Sequence, residues 1–183
     1  APRNPAIRAP WEILVNARGE RFVREDHPSV HHIERGVYQQ PAHRHWAIFD
    51  AAMLERSEPI IPKWTRERLA NEHQSNAMFH SAMSVEALAL RAGLNPLALQ
   101  STVDDYNRRL KEGREDTFGR KMRPAPLSTP PYYSISMQGW TLVSFAGLKV
   151  SADLQILRKG GEAVPNLYAI GEVIGAGATS GAA

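Results

Sequence analysis

Apolar and polar positions divide the chain into a short β region, a helical middle and a β-rich end. Residues 11–15 and 20–23 are short β-type runs, and residues 16–19 between them predict a hairpin turn. Residues 45–50 form a mainly apolar run that predicts a buried strand, and residues 51–56 predict a helical turn or two after it. The first strands of a sheet are therefore expected in the N-terminal part of the chain.

The helices of the middle region are predicted from residues that favour helix ends. Thr65 is expected to cap one helix, and Ser84 a second helix that stops at Gly93. Asn95 is expected to cap the longest helix, which ends at Gly113. Apolar residues recur along that helix at spacings of four, three and four, which predicts one buried stripe of Leu99, Val103, Tyr106 and Leu110.

The chain changes character after a stretch rich in proline and basic residues at positions 114–131. From Tyr132 onward, short β-type runs alternate with turn residues. The order of elements predicts an α+β protein. Its predicted parts are a lead-in segment over residues 1–18, a helical and β domain over 19–130, and a β-rich segment over 131–183.

Composition removes several functional classes. The chain has no cysteine, so disulfides, thiolate nucleophiles and cysteine-ligated metals are excluded. The formal net charge is only +3, and the arginines are interspersed with acidic residues and form no basic run, so binding of nucleic acid is not expected. No apolar run approaches the roughly 20 residues that span a bilayer, and no leader pattern opens the sequence. We therefore expect no membrane partner and a cytoplasmic location.

The last residues, "NLYAIGEVIGAGATSGAA", predict a strand that leads into a glycine-rich ligand loop. Glycines let a backbone approach a ligand closely, and free amide groups at a helix start attract negative charge. Glu172 follows the strand, where its carboxylate can accept hydrogen bonds from a pair of sugar or polyol hydroxyls, or instead cap the following turn. A nicotinamide site is the least favoured interpretation, because no acidic residue follows about twenty residues later.

Several stretches together resemble one flavoprotein family. "GLKVSADLQILRKGGEAVPN" followed by "VPNLYAIGEVIGAG" is similar to the C-terminal signature of the fumarate reductase/succinate dehydrogenase-type flavoproteins, which include ketosteroid dehydrogenases, tricarballylate dehydrogenase and urocanate reductase. "VNARGERFVRED" resembles the entry into the capping domain of that family. "VEALALRAGLNPLALQSTVDDYNRRLKEGREDTFGR" resembles the helical body of the cap. The resemblance extends from about Trp11 to the end, in the order of the family.

The resemblance implies a capping domain followed by the returning edge of a two-part FAD-binding domain, with FAD as the cofactor. It also implies that the chain is a fragment whose partner is a missing N-terminal FAD-binding half. Glu172 would contact the ribityl hydroxyls of FAD. The other residues implied to hold the flavin, mainly through their backbone, are Gly171, Gly175, Gly177, Ser180 and Gly181.

The catalytic residues follow the family less closely. Where fumarate reductases place a proton-donating arginine in the cap, this sequence has Ser29 or Val30. The family's histidine pair would fall near residues 142–143, which are Leu and Val, and the terminal loop has no arginine. These departures disfavour reduction of fumarate itself. They favour a related flavin dehydrogenase or reductase that acts on another small molecule.

Histidines near Ser29 offer another source of protons. A helix is expected to begin near Pro28 or Ser29, and His27 and His31, four residues apart, would share a face if the helix reached that far. Histidine suits proton transfer near neutral pH, so His27, Ser29 and His31 are the predicted catalytic residues, although histidines of this kind also occur on ordinary surfaces. The pair could also fit zinc, but no third ligand is identified, and no metal site is predicted.

The predicted function is transfer of a hydride between flavin and an activated C–C bond, in a parent enzyme of which this chain alone is inactive. Unpaired strand edges of an incomplete domain would also favour a homo-oligomer. The alternative is a non-enzymatic α+β interaction module with a disordered Gly/Ala tail. FAD binding that depends on Glu172 would distinguish the two.

Overall fold

The computed structural model describes residues 9–139 and 146–175. The chain forms two compact units, Ala1–Gly139 and Trp140–Ala183. The elements described in the first unit are the strands and helices β1 Ile13–Val15, α1 Val30–Tyr38, β2 Arg44–Asp50, α2 Ala51–Arg56, α3 Arg66–Ser75, β3 Phe79–Ala82, α4 Val85–Ala92, α5 Pro96–Lys111 and β4 Tyr132–Gln138. The second unit contains β5 Gln155–Leu157 and β6 Ala163–Tyr168. This mixture of helices and small sheets confirms the α+β class.

The sheet of the first unit has the strand order β1-β2-β4-β3, and the neighbouring strands are antiparallel. Strand β4 follows the helical middle in the sequence and pairs with β2. Phe49 of β2 lies opposite Tyr133 of β4. Because β4 follows residue 130 and belongs to the first unit, the compact units divide later than the predicted position at 130–131. The predicted functional domain boundaries remain predictions.

Helices cover both faces of this sheet. On one face, the ring of His73 from α3 contacts the rings of Phe49, Phe79 and Tyr133. On the other face, α4 and α5 bring residues such as Val103 beside Tyr132. Burial of apolar side chains between these layers is the main favourable contribution to folding of the unit.

The helix ends follow the predicted caps. The side chains of Thr65, Ser84 and Asn95 each accept a hydrogen bond from a backbone amide of the first helical turn, at 3.1, 3.2 and 3.0 Å respectively. Gly93 ends α4 in a left-handed conformation with φ 70°. In α5 the predicted stripe is buried at three of its positions and half-buried at Leu110. Strand β3 was not predicted, because "FHSA" has no clear alternation.

A buried network of charges joins distant parts of the first unit. Arg21 pairs with Glu25 and Asp116, at 2.6 Å in each case. Burial would lower the pKa of Arg21, but the two carboxylates raise it overall. Arg120 is 1% exposed and donates to the backbone carbonyl oxygens of Pro10, Glu12 and Met122 at 2.6, 2.9 and 2.6 Å. The network therefore ties the loop after α5 to the N-terminal strand.

In the second unit, β5 and β6 form a two-stranded antiparallel sheet, and β6 leads into a single 3-10 turn at Gly171–Ile174. The amide of Ala169 donates to the carbonyl oxygen of Leu154 at 3.0 Å, which extends the pairing beyond the end of β6. Within residues 9–139 and 146–175, no helix is both long enough and apolar enough to cross a bilayer.

Candidate functional site

The 3-10 turn at the end of β6 is braced by a second stretch of backbone. The amide of Leu148 donates to the carbonyl oxygen of Val173 at 2.9 Å. A Cβ atom added to Gly147 would lie 2.1 Å from the amide nitrogen of Gly175, far inside van der Waals contact. Only glycine therefore fits at position 147 while the two backbones keep this distance.

The turn itself leaves open space beside its backbone. Gly171 has φ 73° and Gly175 has φ 90°, conformations that favour glycine. A Cβ atom on Gly171 would meet no heavy atom within 4 Å, so a ligand can approach the backbone there. The predicted residues Gly171, Glu172 and Gly175 are thus held together in one short turn.

The carboxylate of Glu172 is available to a ligand. Ile170 occupies the N-cap position of the turn, and no side-chain hydrogen bond caps the turn. Glu172 is exposed, and among residues 9–139 and 146–175 its carboxylate has no hydrogen-bond or ion-pair partner. The described residues therefore do not support the alternative in which Glu172 caps the turn. A free acceptor beside open backbone fits a polyhydroxy ligand such as the ribityl chain of FAD.

The other predicted flavin residues, Gly177, Ser180 and Gly181, lie outside the described residues, as do residues 142–143. Gly147 was not predicted as part of the site. Its neighbour at position 175 is distant in sequence, so no local pattern could have indicated the contact.

The predicted catalytic residues lie at the start of α1, but not in the expected arrangement. The helix begins at Val30, so His27 lies outside it and shares no helix face with His31. His31 is exposed and its Nδ1 lies 2.8 Å from a carboxylate oxygen of Glu34. Ser29 is exposed at the cap position and makes no side-chain cap bond.

The structure pairs His27 with His32 instead. Their rings stack with centroids 4.2 Å apart and planes inclined by 19°. The amide of Ser29 donates to Nδ1 of His27 at 3.1 Å, and the amide of Arg24 donates to Nε2 of His32 at 3.3 Å. Burial lowers the pKa of His32, and the nearby His27 and Arg24 lower it further. The four-residue spacing pointed to His31, and only the fold reveals His32.

Asp26 anchors this segment to the loop after α5. Its carboxylate accepts hydrogen bonds from Arg24 at 2.7 Å and from the amides of Lys121 and Met122 at 2.8 Å. Burial would raise the pKa of Asp26, but these donors lower it overall. Within the described ranges, no three histidine, aspartate or glutamate side chains are grouped to hold a metal ion.

Comparison with known proteins identifies the class. The family model described as "FAD binding domain" matches residues 5–182. The chain belongs to this family of FAD-binding proteins. The match confirms the flavoprotein family and the FAD cofactor that the sequence predicted.

Two relatives of this chain are reductases by name. The probable fumarate reductase Ifc3 of Shewanella frigidimarina is 24% identical over 92% of this chain, and 27% of that protein is covered. The digoxin reductase of Eggerthella lenta is 38% identical over 56% of this chain, with 18% of that protein covered. The chain thus spans about a quarter of the length of these relatives or less.

A solved structure shares the fold. The 3-ketosteroid delta1-dehydrogenase of Sterolibacterium denitrificans, in complex with 1,4-androstadiene-3,17-dione, superposes with a TM-score of 0.68. Sequence identity is 23%, and the match covers 89% of this chain and 33% of that one. At this identity the likeness shows the fold alone. The present chain shares its fold with about a third of that longer chain.

Proposed function

We propose that this chain is the capping domain and the C-terminal flavin-contacting segment of an FAD-dependent oxidoreductase. The proposed parent enzyme transfers a hydride between flavin and an activated C–C bond of a small molecule. The observation that carries the proposal is the carboxylate of Glu172, which is exposed and has no partner within the described part of the chain, in a turn that is open at Gly171 and braced at Gly147. The family match and the names of the relatives support the reaction class.

In this proposal each residue of the turn binds rather than reacts. Glu172 accepts hydrogen bonds from ribityl hydroxyls, and Gly171 and Gly175 line the flavin through their backbone. Gly177, Ser180 and Gly181 are proposed to continue the same contact. The bound flavin supplies the electron chemistry.

The cap residues are proposed to provide the proton. Nδ1 of His27 lies 3.1 Å from the donating amide of Ser29 and 3.3 Å from the carbonyl oxygen of Ser29. With Nδ1 as the acceptor of that amide, Nε2 is the ring nitrogen that can donate a proton. Ser29 has a hydroxyl that is not used as a helix cap, and Nδ1 of His31 lies 2.8 Å from a carboxylate oxygen of Glu34. These observations support His27 as the first candidate. The absence of arginine from the matching positions favours a substrate other than fumarate.

The second unit also supports the proposed partner, an N-terminal FAD-binding half. A two-stranded sheet is at best marginally stable alone. Large apolar side chains of this unit are between 41% and 71% exposed, namely Leu148, Leu154, Leu167, Tyr168, Ile170 and Val173. Such exposure is typical of a surface that another layer of protein covers. A homo-oligomer through these edges is the other proposed partner, and a cytoplasmic location remains a prediction.

Titration of FAD into the purified chain tests the proposal, with flavin fluorescence as the readout. We expect saturable quenching, and a dissociation constant at least about tenfold weaker for Glu172→Gln, because hydrogen bonds to a charged group contribute about 1.5–3 kcal/mol. Glu162→Gln is the matched control, since Glu162 is also exposed and lies between β5 and β6. Oxidoreductase turnover by the chain alone is expected to be undetectable.

Either of two results would contradict the proposal for this segment. One is equal affinity of the unchanged chain and Glu172→Gln for FAD. The other is the lack of any saturable binding by the unchanged chain, which would contradict flavin recognition by this segment alone and leave the family membership standing.

A further inference from the structure

The stacked rings of His27 and His32 each lie within hydrogen-bond distance of a backbone amide. A backbone N–H group can only donate, so the ring nitrogen that accepts from it carries no proton. Nε2 of His32 is therefore the acceptor for the amide of Arg24. Nδ1 of His27 lies 3.1 Å from the amide of Ser29 and 3.3 Å from the carbonyl oxygen of Ser29, and the amide hydrogen, which the backbone holds in place, makes Nδ1 the acceptor. Each ring thereby fixes one amide at the entrance of α1.

Protonation of either accepting nitrogen would remove its hydrogen bond and leave an amide without that partner. Protonation of both would place two positive charges on rings whose centroids are 4.2 Å apart. Like charges at this distance repel by about 1–4 kcal/mol at the effective dielectric constants of protein surfaces. The stack is therefore compatible with neutral histidines and not with a pair of imidazolium ions.

The surrounding charges do not relieve this repulsion. Arg24 is a further cation beside His32 and acts in the same direction. Asp26 is the nearby carboxylate of this segment, but it already binds Arg24 and the amides of Lys121 and Met122. Glu34, on the next part of α1, binds His31.

We propose that His27, His32 and the amides of Arg24 and Ser29 form an acid-sensitive histidine clamp, which holds residues 24–32 ordered at neutral pH and releases them on acidification. The functional consequence of the clamp rests on the proposed function, because the released segment carries the proposed catalytic residues His27, Ser29 and His31. The start of α1 would then change conformation within the pH range in which histidines titrate.

Nuclear magnetic resonance of the unmodified chain tests the clamp directly. Long-range proton–nitrogen spectra at pH 7.5 are expected to show His27 protonated at Nε2 and His32 protonated at Nδ1. Hydrogen exchange of the Arg24 and Ser29 amides, corrected for the intrinsic rate at each pH, is expected to become about tenfold less protected at pH 5.0, because each amide loses a hydrogen bond and about 1.4 kcal/mol corresponds to a factor of ten. The opposite tautomer at either ring would overturn the proposal, whatever the variants do.

The double variant His27→Asn/His32→Gln separates titration from simple loss of structure. Its side-chain carbonyl oxygens can accept the same two amides but do not titrate, so protection of Arg24 and Ser29 is expected to be independent of pH. His31→Gln is the matched control and is expected to respond as the unchanged chain does, because its imidazole bonds only Glu34. An equal pH response in the double variant would overturn the proposal. FAD titration at pH 7.5 monitors Glu172 in the other unit, so the clamp and the proposed function can fail separately.

Discussion

Replacement of Arg120 by methionine is the most direct test of what holds the first unit together. Arg120→Met keeps a long unbranched side chain but removes the guanidinium group. Three carbonyl oxygens, of Pro10, Glu12 and Met122, then lose their donor. Glu25, whose carboxylate lies 3.5 Å from the Arg120 guanidinium, loses a buried cation as well.

The structure allows the effect to be estimated. Removal of one partner from a buried charge network costs about 3–5 kcal/mol, because the remaining charges and acceptors stay buried without compensation. Arg21 remains to neutralise only part of the negative charge of Glu25 and Asp116. Since domains of this size are stable by about 5–15 kcal/mol, the variant should lose a large part of its stability, and its melting temperature should fall by roughly 10 °C.

Urea unfolding followed by tryptophan fluorescence measures this loss. Arg108→Met is the matched control, because Arg108 pairs with Asp105 while its side chain remains 57% exposed. Exposed pairs contribute about 0–1 kcal/mol, so the control should unfold almost as the unchanged chain does. If both variants lose less than about 1 kcal/mol, the buried network does not stabilise the unit and the reasoning is refuted.

Two further predictions concern the bracing glycine and a buried histidine. Gly147→Ala should break the contact with residues 174–175 and speed hydrogen exchange at Leu148. Gly160→Ala should not change that exchange, because the added Cβ at position 160 meets only the flexible end of Glu162. Equal exchange at Leu148 in both variants would contradict the close approach of the two backbones. Burial lowers the pKa of His73 to about 4 from an ordinary 6.5, so the unfolded chain binds the proton more readily and stability should fall as pH drops from 6.5 towards 4. His73→Gln should make unfolding by urea less dependent on pH in that window, and an unchanged pH slope would rule out this contribution.

Much of the first unit was predictable because its signals are local. A cap residue such as Asn95 acts on an amide three residues away, and an apolar stripe acts along one helix face. The helix starts at Ser84 and Asn95 and the buried strand at residues 45–50 therefore appear where the sequence places them. Strand β3 could not be predicted, because its place depends on pairing with β4, which lies beyond α4 and α5 in the sequence.

The chain's own sequence determined the α+β class, the flavoprotein family and the position of Glu172 at the end of a strand, because caps, periodicity and collinear motifs are properties of neighbouring residues. Only the tertiary structure decided that Glu172 has no side-chain partner among residues 9–139 and 146–175, that Gly147 braces its turn, and that His27 pairs with His32 rather than with His31. These outcomes depend on which backbone segments come within a few ångströms of each other. The number of residues between two positions does not determine their distance in space once a helix ends or a loop changes direction.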